Sequence, residues 1–293
     1  MPTAYEVVTE SIIKQLESGL APWRKPWRTE MPANLVSKKE YRGINVFLLA
    51  SQAYGSRYWL TYRQAQALGG SVRKGEHGSK VVFWKIGEYR KEDKETGETE
   101  NRKSILLRYF TVFNLEQCEG IKSPEPTRVI APLEQCETIV SSMPNPPSFE
   151  QDSRAFYCPS TDTVGIPARS AFDSAEEFYS TFFHELTHST GHPSRVGRKG
   201  IMEHNPFGSE DYSKEELVAE MGAAMLCGIA GIASRTLDNS ASYLHSWIHR
   251  LRSDSRLIVS AASQAQKAAD YILSRTAAET ESDTKGEDER ETL

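Results

Sequence analysis

Phe183-His184-Glu185-Leu186-Thr187-His188-Ser189-Thr190-Gly191-His192 contains H-E-x-x-H, the spacing by which one helix presents two metal ligands and a base. Residues i and i+4 stand one above the other on a helix, so both imidazoles reach one ion. Glu185 points elsewhere on the helix but stays near enough to take a proton from water at that ion. The flanks support a helix. Ser174-Ala175-Glu176-Glu177 has the form of a capping box, with Ser174 as N-cap and Glu177 reaching back, and Gly191 supplies a C-terminal stop. Phe178, Tyr179, Phe182, Phe183 and Leu186 make an apolar stripe at helical spacing, leaving His184 and His188 on a face open to a cleft. The plain alternative is an amphipathic helix with two ordinary polar histidines, and these flanking signals weigh against it.

A catalytic zinc usually takes three protein ligands and a water. The metzincin completion would place the third ligand at Ser194, so that route fails. His192 comes two residues too early and reads as a surface or substrate-side residue. The better source is Ser213-Lys214-Glu215-Glu216-Leu217-Val218-Ala219-Glu220-Met221-Gly222-Ala223-Ala224, where Glu216 and Glu220 share a helix face and Glu220 interrupts an apolar run. A buried carboxylate needs a partner, and a metal site supplies one. With Glu216 as ligand, Glu220 is the acceptor that holds a ligand imidazole. If Glu216 instead closes a capping box with Ser213, Glu220 becomes the ligand. The first assignment is preferred and the second stays open.

Around this motif, Tyr157 to Pro167 reads as a short hairpin, an edge on which an extended peptide can be laid. The segments 241–252 and 256–274 read as packing helices, with Tyr243 and Trp247 in the core. Residues 276–293 form an acidic, polar tail expected to be mobile. Upstream, six prolines between Pro124 and Pro147 mark a linker region at 129–150, with a helix at Leu133–Ser142 inside it.

Charge divides the chain in the same place. Of 35 Lys+Arg and 40 Asp+Glu, residues 1–128 hold 21 and 15, a balance of +6; the remainder holds 14 and 25, a balance of −11. Two domains follow, 1–128 facing a polyanion and 151–275 carrying the metal motif. No apolar run approaches the ~20 residues that span a membrane, and the N-terminus lacks a signal core. Cys118, Cys136, Cys158 and Cys227 are scattered, as in a protein of the reducing cytoplasm.

The basic half has helical spacing from Tyr5 to Gly19, from Val46 to Tyr54 and from Thr61, a possible N-cap, to Gly69. Strands are expected at Val81–Trp84 and Leu106–Phe113, around a charged excursion at Glu88–Lys103 read as an exposed tip or disordered loop. Helices followed by strands make a small α+β domain. Within it, Trp23, Arg24, Lys25 and Trp27 form a stiff segment of rings and cations suited to single-stranded nucleic acid, where bases stack and cations meet phosphates. Tyr41, Arg42, Tyr62, Arg63, Arg73, Lys74 and Lys80 repeat that mixture. The competing reading packs the two tryptophans into the core, and composition alone does not choose.

Ala21–Trp27, Tyr41–Asn45, Thr61–Ala65 and Val112–Asn114 resemble the N-terminal domain of ArdC-type antirestriction proteins, which also begins some conjugative plasmid primases. His184–Arg195 and Glu215–Ala224 resemble the zincin-like metallopeptidase domain of the same proteins. The resemblance covers nearly all of 5–273. It implies an α+β chain in which a single-stranded-DNA-binding domain precedes a SprT-like or gluzincin-like metallopeptidase, acting in the cytoplasm to protect incoming plasmid DNA from host restriction during conjugation. By position it makes His184 and His188 metal ligands, Glu185 the base and Glu216 the third ligand. The expected ion is zinc, with manganese as the alternative, and the protein substrate is unidentified, host restriction machinery being one candidate. The rival expectation is a DNA-shielding protein whose metal site is structural or vestigial.

Overall fold

The computed structural model describes residues 2–24, 31–52, 54–92, 99–124, 132–198, 201, 210–232 and 241–275. The expected linker start at 129–131, the tip at 93–98, the tail at 276–293, Lys25 and Trp27 lie outside them. The first half contains helix α1 (Ala4–Glu17), a 3-10 turn at Pro22–Arg24, strand β1 (Ala33–Asn34), α2 (Ile44–Ala50), β2 (Tyr58–Leu60), α3 (Tyr62–Ala67), β3 (Ser71–Val72), β4 (Ser79–Glu92), β5 (Thr99–Asn114) and β6 (Cys118–Glu119). The second contains α4 (Pro132–Ser142), β7 (Ser148–Gln151), β8 (Phe156–Cys158), β9 (Thr163–Ile166), α5 (Ala175–Ser189), α6 (Glu210–Ala230), α7 (Ala241–Ser253) and α8 (Leu257–Ile272). Helices and strands are mixed and segregated, as in an α+β fold.

Local rules account for several boundaries. Thr3 caps α1 reciprocally with Glu6, and Thr61 does the same for α3 with Gln64. Strands β1, β2, β5 and β4 form one sheet in that order, parallel only between β1 and β2. The basic segment Val72–Lys80 crosses between sheets, because β3 pairs with β6 while β4 pairs with β5. The charged excursion is also corrected: its backbone continues the β4–β5 ladder out to Glu92 opposite Thr99. Ladder hydrogen bonds are backbone bonds, so they extend through sequence with no apolar pattern.

The smaller sheet has order β7-β9-β8, with β7 and β8 as its edges. From residue 132 on, the Pro-rich stretch packs against the main core. Helix α4 lies in it, and Cys136, Ile139 and Met143 join the main core.

That core crosses the charge boundary. One apolar cluster runs from Val8, Ile12 and Leu16 of α1 through Trp23, Phe47 and Leu48 to Phe183, Leu186, Met221, Ala261 and Ala265. Polar contacts follow it: Thr9 Oγ1 donates to Ser255 O at 2.8 Å, Gly43 N donates to Gln266 Oε1 at 2.9 Å, and Arg42 pairs with Asp270.

Candidate metal centre

Helix α5 is set by its N-terminus. Ser174 Oγ accepts from Glu177 N at 3.1 Å, while the Glu177 carboxylate reaches one residue further than expected and accepts from Asp173 N at 2.9 Å. Tyr179, Phe183 and Leu186 are buried along the inner face, which turns His184 and His188 outward. The stop at Gly191 has a different cause from the one expected. A Cβ there would lie 2.4 Å from Ile201 Cγ1 and 3.1 Å from an Arg198 nitrogen, so the glycine serves close approach rather than a left-handed cap.

The second wall is α6, which begins at Glu210, so Ser213 lies inside the helix and not at its N-cap position. Contact between the two helices is tight because a Cβ at Gly222 would sit 2.5 Å from Thr187 Cγ2. Seven residues make two helical turns, so Glu215 lies on the same face as Gly222 and is turned toward α5, with Glu216 beside it.

The donor atoms converge. His184 Nε2 and His188 Nε2 are 3.1 Å apart, and the two Glu216 carboxylate oxygens lie 3.6 Å from one imidazole each. Bonds of about 2.0–2.1 Å in a tetrahedral site separate the donors by roughly 3.3 Å, so these three are spaced for a single ion. Two imidazoles and one carboxylate, half-buried, are also the chemistry of an open three-ligand site. Glu185 is 8% exposed, on the same helix.

Glu220 is corrected on both readings. Its Oε2 accepts from Trp23 Nε1 at 2.8 Å and from the Tyr243 hydroxyl. The imidazole partner is Glu215, whose Oε1 lies 3.2 Å from His188 Nδ1. Arg198 grips the same carboxylate, with Nε at 2.9 Å from Oε2 and Nη2 at 2.5 Å from Oε1. Burial works against the charged form of His188, but Glu215, Glu216 and Glu185 outweigh it and raise its pKa. For Glu215, burial is likewise outweighed by His188 and Arg198, which lower it. Neither Glu215 nor Arg198 carries a sequence signal, since their pairing is made by tertiary packing.

Several expected nucleic-acid contacts are not at the surface. Trp23 is 1% exposed, its ring edge-on to Trp247 and its N–H taken by Glu220. Tyr41 is buried against Leu49 and Trp59, and Arg42 is paired with Asp270. Arg24 continues the 3-10 turn that begins at Pro22. In contrast Tyr62, Arg63, Arg73, Lys74 and Lys80 are exposed, with Arg73 bonded to Glu76 at 2.8 Å. Lys80 stands over the Tyr109 ring at 5.3 Å and donates to Thr111 Oγ1 at 2.6 Å. Pairing puts Lys80, Val82 and Trp84 on one face of the ribbon with Thr111, Tyr109 and Leu107. On it Trp84 is 47% and Tyr109 45% exposed. The strand alternation Lys80-x-Val82-x-Trp84 was the available signal for this face.

Among the described residues no helix is long and apolar enough to cross a membrane. All four cysteines are free thiols.

Comparison with known proteins adds two family matches: residues 2–113 fit the N-terminal domain of anti-restriction factor ArdC, and residues 134–264 fit a zincin-like metallopeptidase. The chain is 37% identical to a DNA primase TraC of Escherichia coli over 92% of its own length, but spans only 27% of that protein, and 20% of a second TraC at 36% identity. Protein y4eC of Sinorhizobium fredii is 36% identical, with 92% of this chain and 91% of the relative covered. Among solved structures, the metal-free antirestriction ArdC protein from R388 plasmid is similar, with TM-score 0.72, 39% identity, and 93% and 97% of the two chains covered. Its Mn(II)-bound form gives TM-score 0.72 at 38% identity, covering 94% and 99%.

Proposed function

The chain belongs to the ArdC antirestriction family, and on that premise we propose that it binds single-stranded DNA and hydrolyses peptide bonds, protecting incoming plasmid DNA from host restriction during conjugation. The observation that carries the peptidase reading is the convergence of His184, His188 and Glu216 beside a buried Glu185. His184 Nε2, His188 Nε2 and the Glu216 carboxylate would hold the divalent ion, zinc by the zincin-like match, with manganese as the alternative. When bound, the ion supplies Lewis acidity, polarising a carbonyl and acidifying water. Glu185 then takes the proton of the attacking water and returns it to the leaving amine. The substrate is an unidentified protein, for which host restriction machinery is the proposed source, and the setting is the cytoplasm.

The DNA reading rests on the exposed aromatic and cationic residues of the basic half. Tyr62, Trp84 and Tyr109 offer ring faces, and Arg63, Arg73, Lys74 and Lys80 offer charge, the pairing that single strands use for stacking and phosphate neutralisation. Tyr109→Ala should weaken oligothymidylate binding by about 1–3 kcal/mol while leaving the fold intact.

The deciding experiment is Glu185→Gln, read as plasmid transfer into a restricting recipient and as cleavage of labelled casein. Lost cleavage and lost protection, with metal and DNA binding kept, fit the proposal. Cleavage unchanged from wild type sinks the role of Glu185. Full protection without cleavage assigns antirestriction to DNA shielding.

A further inference from the structure

His188 is held from two sides by one buried ion pair. Its imidazole Nδ1 faces Glu215 Oε1 at 3.2 Å, and its backbone carbonyl lies 3.3 Å from Arg198 Nη2. The same nitrogen donates to Thr187 O at 2.8 Å and to Glu215 Oε1 at 2.5 Å, while Nη1 donates to Thr190 Oγ1 at 2.5 Å. Every guanidinium nitrogen is thus engaged, and the Arg198 side chain is 4% exposed. The fork geometry fixes the Glu215 carboxylate plane, as a lysine would not.

We propose that Glu215 and Arg198 are positioning residues for the metal centre: Glu215 fixes the tautomer and ring orientation of His188, and Arg198 acts through Glu215. With Nδ1–H donating to Glu215, the lone pair of His188 is left on Nε2, the atom facing His184 and Glu216. Arg198 ties the backbone and the imidazole of His188 to one rigid pair. It also balances the charge of Glu215, so the brace adds no net charge beside Glu216. The close packing of Gly191 against Arg198 gives the guanidinium room to reach its partners. The inference rests on reading His184, His188 and Glu216 as ligands.

The test is Mn(II) affinity by calorimetry, with the Mn(II) electron paramagnetic resonance spectrum, on full-length protein at a temperature where the metal-free variants are folded. Glu215→Gln should lower affinity by roughly 10–100-fold and broaden the signal. Arg198→Met should produce a similar loss, and the double variant no more than Glu215→Gln alone, because the arginine acts through the carboxylate. Arg198→Lys keeps the charge but lacks the fork; it should fall between, and it carries the test if Arg198→Met does not fold. A pair that only ties the loop to α6 would lower the melting temperature and leave affinity within about threefold, overturning the proposal. Additive losses in the double variant would overturn the claim that Arg198 acts through Glu215. Failure of the wild type to bind Mn(II) or Zn(II) would instead refute the metal-site reading itself.

Discussion

Trp23→Phe separates a core tryptophan from a base-stacking one. Phenylalanine keeps a smaller ring in the slot against Trp247 and removes the Nε1–H that Glu220 Oε2 accepts at 2.8 Å and the Tyr243 hydroxyl at 3.0 Å. A hydrogen bond to a charged group contributes about 1.5–3 kcal/mol. The Tyr243 hydroxyl still donates to the same oxygen, so the loss should sit low in that range, at about 2 kcal/mol. The smaller ring adds about 1 kcal/mol of lost packing at a site 1% exposed. The sum, about 3 kcal/mol, lowers the melting temperature by roughly 6–12 °C for a chain near this size. Urea unfolding should show a lower midpoint with unchanged slope. In a Glu220→Gln background, where the acceptor is uncharged, the hydrogen-bond part should fall to about 1 kcal/mol and the total to about 2 kcal/mol. Binding of oligothymidylate by the folded variant should match wild type. Unchanged stability with tenfold weaker DNA binding would refute the placement of Trp23 in the core.

Other perturbations test other contacts. Gly222→Ala puts a methyl group 2.5 Å from Thr187 Cγ2, and the Thr187 hydroxyl is committed to Phe183 O, so overpacking of about 1–3 kcal/mol and weaker Mn(II) binding are expected. Adding Thr187→Ala should restore both; if it does not, α5–α6 contact at this point is not what sets the site. Asp162 is bonded by Arg195 and Tyr157, and the Arg195 hydrogen bonds hold its pKa below the ordinary 3.8. Its contribution to stability is therefore complete above that value and fades as pH falls through the depressed one. Asp162→Asn should remove this acid-side slope, seen as the difference between the two melting curves from neutral pH to pH ~2. The Cys158 thiol is brought down to about 7 by hydrogen bonding with Ser160, whereas burial pushes Cys136 and Cys227 up to about 12. Iodoacetamide should label Cys158 first, with a rate midpoint near its shifted value that moves back toward 9.0 in Ser160→Ala. Equal labelling of all four thiols in the native state would count against it.

How much the sequence disclosed follows the range of each contact. The pairing of His184 with His188 was legible because one helical turn relates them, whereas the choice of Glu216 over Glu220 turns on how α6 packs against α5. Glu220 was assigned to the wrong partner because its true partner, Trp23, lies 197 residues away. Glu215 and Arg198 were invisible for the same reason: nothing local distinguishes a buried ion pair from two surface charges. Trp23 and Tyr41 stood in basic, aromatic surroundings that describe a DNA surface and a core equally well, and burial is decided only when α6, α7 and β4 arrive. The long β4–β5 ladder was missed because backbone pairing carries no composition of its own.

Contacts such as Thr9 with Ser255, separated by 246 residues, also set a timetable for synthesis. At ~5–20 residues per second, α1 would wait about 12–50 s after leaving the ribosome for α7 and α8 to be made. Through that interval Val8, Ile12, Leu16 and Trp23 have their neighbours from the first half, Phe47, Leu48 and Val82 among them, but lack those that α7 and α8 supply. A fragment ending near residue 128 would lack that late part of the cover throughout. The helix that carries Glu216 also packs against α8, and so gains part of its support only when that helix is made. An incomplete copy therefore lacks part of the packing that holds His184, His188 and Glu216 together.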